Sequence, residues 1–213
     1  MDFLPSFPKL LAFAAATLLL AATPGPDMTL SISRALAQGK KAALFVVLGT
    51  SLGIVVHTML VAFGISALIT ASPTAFLILK TGGAAYLFWL AVQAIRYGSK
   101  LTVAKVEGPK GTILSNISSG FWVNLLNPKV IIFFMTFLPQ FVSANDPAVT
   151  HKLLFFGFCF IVIGMPVNAA IVMAADWLSS WVQNNRKVLR GMDYTFAGVF
   201  SVFAAKILLT QAR

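Results

Sequence analysis

Hydrophobic residues along this chain come in six long runs, at residues 10–33, 42–70, 74–95, 112–141, 153–178 and 194–209, and the charges collect between them. Long apolar runs with few charges are read as membrane-crossing helices. The pattern predicts an all-α integral membrane protein with six transmembrane helices.

Two of the six runs are interrupted. The first holds Thr23-Pro24-Gly25-Pro26-Asp27-Met28, and the fourth holds Asn127-Pro128-Lys129. Proline removes a backbone donor and clashes with the preceding turn, and glycine loosens the helix further. An ionised Asp near the bilayer centre costs about 2.5–3.5 kcal/mol on insertion scales. The uninterrupted part of the first run, residues 10–23, is 14 residues long, about 21 Å at 1.5 Å per residue. That falls short of a hydrocarbon core of about 30 Å. Residues 28–36 must complete the crossing, so the first span is a discontinuous helix. Residues 113–126 repeat the pattern before Pro128. Broken backbone at membrane depth is tolerated only where protein or a water-filled cavity satisfies it, so the two breaks mark the candidate site.

Composition narrows the class. Of 213 residues, 58% are hydrophobic and 10% charged, and the mean hydropathy is +0.87. Soluble domains carry about a quarter charged residues, so little of this chain is soluble. The net charge of +10 does not point to nucleic acid, because the basic residues are spread between apolar runs. Arg34, Lys40, Lys41, Arg96, Lys100, Lys105, Lys110, Arg186, Lys187 and Arg190 fall in the odd-numbered loops. The positive-inside rule makes those loops cytoplasmic and puts both termini outside. The one cysteine, Cys159, excludes an intramolecular disulfide and a two-thiol relay. The first run is expected to be a retained span rather than a signal peptide, since Asp2 offsets Lys9 and no good small-x-small cleavage site follows.

The chain reads as a single transmembrane domain in two halves, about residues 1–97 and 112–213, joined by the polar linker 98–111. Three crossings per half give the halves opposite orientations. Pro24 and Pro128 are 104 residues apart, and so are Gly53 and Gly157. The prediction is two inverted three-helix repeats whose first helices are broken. Broken helices at corresponding positions of such repeats are the best pointer to a transport site.

The breaks carry usable chemistry. Free N–H groups and the positive end of a helix dipole hold a carboxylate, while free carbonyls hold a cation. Asp27 can receive an ammonium group or a proton, and Lys129 can pair with a carboxylate. With Asn124, Asn127 and Asn168 they suit a small zwitterion such as an amino acid. Two structural alternatives stand beside this: Asp27 caps the second half-helix, or Lys129 is its salt-bridge partner. Gly49 and Gly53 form a GxxxG element, read as helix packing. His57, one turn beyond, is a hydrogen-bonded interior residue or a proton carrier.

At these residues the chain resembles the lysine exporter superfamily, especially its homoserine/threonine efflux (RhtB-type) branch. The resemblance rests on Thr23-Pro24-Gly25-Pro26-Asp27, on Arg34-Ala35-Leu36-Ala37-Gln38-Gly39, and on Gly49 with Gly53. In the second half it rests on residues 120–129, which include Asn124, Asn127, Pro128 and Lys129, and on Pro139-Gln140-Phe141. It implies a six-span bacterial inner-membrane exporter of amino acids or their derivatives, homoserine/threonine-like, leucine-like or lysine-like, driven by proton antiport. The implied partners are an amino-acid substrate, protons and the lipid bilayer, with no cofactor, metal or nucleic acid and with homo-oligomerisation left open. The alternative is efflux of a metal cation or another small solute, against which stands the lack of a carboxylate or His/Cys cluster. An intramembrane redox enzyme is opposed by the single thiol. A scaffold gives buried polar breaks no purpose, and an ATP-driven pump lacks its phosphate loop.

Overall fold

The computed structural model describes residues 5–97, 111–143, 146–177 and 185–211, and these are helical throughout, with no strand among them. The helices are α1 (Phe7–Ala22), α2 (Pro26–Gln38), α3 (Lys40–Ala71), α4 (Pro73–Tyr97), α5 (Ile113–Leu125), α6 (Pro128–Ile132), α7 (Val149–Met173) and α8 (Arg186–Gln211). The predicted linker, with Lys100, Lys105 and Lys110, lies almost wholly outside the described residues.

Local chemistry sets the boundaries. Thr112 caps α5, its hydroxyl accepting from the Ser115 N–H at 3.1 Å. Asn127 caps α6, its Oδ1 accepting from the Lys129 N–H at 3.0 Å, and Pro128 takes the first helical position, where no N–H is needed. α2 and α3 are joined by Gly39 alone, at φ +90°, a conformation that glycine adopts without a steric cost. Beyond Ile132, α6 continues as a π-helix over Phe133–Phe137 and a 3₁₀ turn over Leu138–Phe141.

Both predicted breaks are present as sharp bends. α1 and α2 meet at 52°, and α5 meets the α6 segment at 53°. Lys40–Leu68 and Val149–Met173 are each long and apolar enough to cross a membrane, and each bent pair meets the same standard when taken as one span. Length and hydropathy thus support four of the six expected crossings among the described residues. α4 offers only the shorter apolar stretch Leu77–Gln93, and α8 opens with Arg186, Lys187, Arg190 and Asp193 in its first turns.

Hydrogen bonds and two ion pairs identify the two ends of the bundle. At one, Gln38 Oε1 accepts from the Gly111 N–H, joining the end of α2 to the start of α5. There too Arg190 donates to the Ile95 carbonyl, and Lys40 pairs with Asp176 at 3.5 Å. At the other, Thr150 donates to Ser66 at 2.9 Å and Lys152 pairs with Asp146. The first is the basic end. Large apolar side chains such as Leu60, Phe63, Phe158 and Val162 are exposed around the outside, as a lipid-facing belt requires. The main core lies toward the other end, where Phe13, Phe133, Phe137, Phe141, Phe156 and Phe160 stack on one another.

α3 and α5 approach backbone to backbone. A Cβ on Gly49 would overlap the Ile117 carbonyl, and one on Gly120 would overlap the Val46 carbonyl. Small residues at a crossing permit such approach inside a membrane.

Candidate functional site

The site forms where the two breaks meet. Pro24 has no N–H, so the Leu20 carbonyl, four residues earlier, has no helical donor. The chain then turns through Thr23, Pro24 and Gly25, and the Thr23 carbonyl is left at the end of α1 as well. Lys129 fills both vacancies from the other half of the chain. Its Nζ donates to the Leu20 carbonyl at 2.9 Å and to the Thr23 carbonyl at 2.7 Å. An ammonium at the C-terminal end of α1 also meets the negative end of that helix's dipole. Its side chain lies alongside Gly25, where a Cβ would stand 3.5 Å from Nζ.

Asp27 is held just as firmly, also from across the halves. Its Oδ2 accepts from Asn124 Nδ2 at 2.6 Å, and its Oδ1 from Asn127 Nδ2 at 3.0 Å. Hydrogen bonds to an ionised acceptor are about twice as strong as neutral ones. Both structural alternatives for this residue are therefore corrected. Asp27 does not cap α2: Gly25 is the cap residue, and no side chain bonds the helix start. Nor is Lys129 its bonded partner, since no ion pair within 4.0 Å joins them. Asparagine amides take the place of the cation on one side, and backbone carbonyls take the place of the anion on the other. The breaks therefore interlock at one level.

The second break has its own orphan. Pro128 leaves the Asn124 carbonyl without its helical donor. The Asn127 N–H reaches it at 3.0 Å, and His57 Nε2 from α3 approaches at 3.4 Å, a long bond that requires the proton on Nε2. His57 is buried, with its ring tilted against Phe134. Gly53 makes room for this arrangement, since a Cβ there would press on the Asn124 side chain. Gly53 is thus a site-shaping residue as much as a packing one. Asn124 is 2% exposed, and its Oδ1 is buried with no hydrogen-bond partner.

A cavity of about 50 Å³ opens beside this network. Thr23, Gly25, Asp27, Asn124, Asn127, Lys129 and Asn168 line it, as do Thr50, Ser51 and Met28. Its apolar wall includes Leu20, Ile54, Val130, Phe160 and Met165. Asn168 reaches it from α7. Pro24, Pro26 and Pro128 act through the backbone they interrupt, and Gly49 sits one turn from the wall, at the α3–α5 crossing. Sequence reasoning missed Thr50 and Ser51 as lining residues, although their hydroxyls lie between the two glycines it singled out. Their hydroxyls turn inward on α3, each bonded to the Val47 carbonyl. It also missed Phe160, whose ring closes the cavity toward the phenylalanine core. Among the described residues, no three of His, Cys, Asp and Glu cluster closely enough to hold a metal ion.

Comparison with known proteins places these features in context. A family model described as LysE type translocator matches residues 18–211. A homoserine/homoserine lactone efflux protein of Salmonella typhimurium is 29% identical over 205 residues, covering 95% of this chain and 96% of its own. A leucine efflux protein of Klebsiella pneumoniae is 26% identical over 195 residues, covering 89% of each. An uncharacterized membrane protein of Vibrio cholerae is 30% identical over 205 residues. No solved structure matches.

Proposed function

We propose that this chain, which belongs to the LysE type translocator family, exports neutral amino acids or their derivatives across the bacterial inner membrane by secondary transport coupled to protons. The observation that carries the substrate class is the charge of the cavity. Among the described residues Asp27 is the carboxylate and Lys129 the amine that line it. The Asp27 carboxylate already accepts from Asn124 and Asn127, so the side-chain ammonium of a lysine-like substrate would face amides, hydroxyls and apolar groups with no free carboxylate beside it, and an unpaired buried charge is strongly disfavoured. Homoserine/threonine-like and leucine-like substrates therefore fit better than lysine-like ones. The apolar wall of Ile54, Val130 and Phe160 suits a short uncharged side chain.

The inverted-repeat reading draws support from a reciprocity at the breaks. The carbonyl four residues before Pro24 is met by Lys129 of the second half, and the carbonyl four residues before Pro128 by His57 of the first. α3 also packs on α7, and α4 on α8, as corresponding helices of two halves would. A cavity of about 50 Å³ admits a few waters rather than a whole amino acid, so loading requires the walls to part. The π-helix of α6 and Pro166 within α7 are the irregular segments available to absorb that motion. Metal-cation efflux is the weaker reading, because the polar wall is built mainly from amides and hydroxyls.

The test feeds cells dipeptides that release homoserine, threonine, leucine or lysine and compares amino-acid efflux with and without the protein. Faster release of a neutral amino acid is expected, with loss of that gain in Asp27→Asn at matched membrane abundance. Selective release of lysine would overturn the substrate class, and full export by Asp27→Asn would remove the site from the pathway.

A further inference from the structure

We infer that Lys129 carries the coupling proton, and that its ammonium and the substrate's ammonium exclude one another from a single cradle formed by the Leu20 and Thr23 carbonyls. This inference rests on the proton-coupled export proposed above and names the group that performs the coupling. A helix C-terminus broken open at membrane depth is a cation site in transporters of this general construction. Here the cation is tethered. Lys129 Nζ makes bonds of 2.9 and 2.7 Å to the two carbonyls and has no carboxylate within 4.0 Å.

Two cations cannot share that cradle. When substrate arrives from the cytoplasm, its ammonium takes the carbonyls only if Lys129 has given up its proton and become an uncharged amine. That proton leaves to cytoplasmic water. After the substrate departs on the outer side, the amine takes a proton there and returns to the carbonyls as an ammonium. Occupancy by proton or by substrate, never by both, is what antiport requires. Each turnover moves one proton inward for each zwitterion outward, and so one net charge inward.

Asp27 stands outside this cradle, with both of its oxygens held by amide N–H donors. The titratable groups that face Lys129 are Asp27 from α2 and, behind the Asn124 carbonyl, His57 from α3. α1 faces it with backbone carbonyls, α5 with Asn124, and α7 with Asn168 and Phe160.

The test uses the full chain in proteoliposomes and the labelled homoserine or leucine that the release assay identifies as substrate. Two activities are read: counterflow at zero gradient, and accumulation driven by a pH gradient. Wild type is expected to show both. Lys129→Gln, whose amide still offers a donor to the carbonyls, is read by the ratio of the two activities: gradient-driven accumulation relative to its own counterflow should fall at least tenfold below the wild-type ratio. A smaller fall in Lys129→Gln would overturn the inference and leave proton coupling intact. Wild-type counterflow without gradient-driven accumulation would instead overturn the coupling itself. If Lys129→Gln does not insert or shows no counterflow, the readout moves to purified protein in weakly buffered detergent. Substrate binding should release about one proton per site from wild type and none from Lys129→Arg, whose side chain stays cationic. Equal release from both proteins would overturn the inference.

Discussion

Placing a single methyl group at the α3–α5 crossing tests whether the site depends on backbone-to-backbone contact. In Gly120→Ala the new Cβ overlaps the Val46 carbonyl and stands 3.1 Å from the Thr50 nitrogen. Both obstacles are main chain, so no side chain can swing aside, and the helices must part by roughly 1 Å to restore ordinary contact near 3.4 Å. Overpacking of this kind costs about 1–3 kcal/mol, against about 0.5–1 kcal/mol gained by replacing a mid-helix glycine. The net loss is about 0.5–2 kcal/mol, or ~2–6 °C for a chain of this size. The consequence for export is larger. Asn124 lies one turn beyond Gly120, and a shift of about 1 Å would stretch its 2.6 Å bond to Asp27 to a separation that is no longer a hydrogen bond. Thermal unfolding in detergent and amino-acid release are measured together. Gly49→Ala should behave like Gly120→Ala, and the double variant should lose less than the sum, because parting the helices once admits both methyls. Gly64→Ala is the control: nothing lies within 4 Å of its Cβ position, so about 0.4–1 kcal/mol of stabilisation is expected. If Gly120→Ala stabilises like the control, or if the double variant is strictly additive, the close crossing does not shape the site.

Pro24→Ala and Pro128→Ala each restore a backbone N–H for the Leu20 or Asn124 carbonyl, in competition with Lys129 or His57. Each should insert normally and lose export by about tenfold or more, equivalent to about 1.4 kcal/mol; wild-type release by the double variant would make the prolines incidental kinks. Outside the spans, the hydrogen bond from Lys152 and then the Ala148 N–H hold the Asp146 carboxyl below its ordinary value of 3.8. A carboxylate with a depressed pKa contributes stability that is present above 3.8 and lost as the pH falls through its folded value. Asp146→Asn should therefore flatten the acid limb of a stability–pH curve, and an unchanged limb would refute that assignment. A reporter placed within residues 98–110 should read the cytoplasm and one after Arg213 the outer compartment; the reverse at both positions would invert the orientation.

The breaks were legible because proline and a charge are out of place in an apolar run, whatever surrounds them. Their position, the elements on either side and the amide-rich character of the second break follow from that rule alone. The partners did not. Asp27 finds Asn124 across 97 residues and Lys129 finds Leu20 across 109, and nothing local distinguishes an amide donor from an ammonium as the carboxylate's partner. Opposite charges suggested a pair. The orphan carbonyls of α1 offered the ammonium an alternative that a side-chain inventory does not count. Gly49 was visible as half of a GxxxG element, but Gly120, which completes the contact, belongs to no spacing pattern within its own helix. The π-helix over Phe133–Phe137 contains no proline or glycine of its own, ends two residues before Pro139, and arises in a segment packed among phenylalanines from α1 and α7.

The 97 residues between Asp27 and Asn124 also have a meaning in time. A ribosome adds about 5–20 residues per second, so the carboxylate waits about 5–20 s after its own synthesis before its first amide donor exists. Throughout that interval the α1–α2 pair is a bent span with an unsatisfied charge at its corner. It must linger at the headgroup boundary or within the insertion machinery, and it docks only after α5 has been threaded. The first helices of this chain therefore settle only after the start of its second half has been made. Nascent chains halted before Asn124 should hold Asp27 open to water-soluble reagents, while chains halted after Lys129 should shield it.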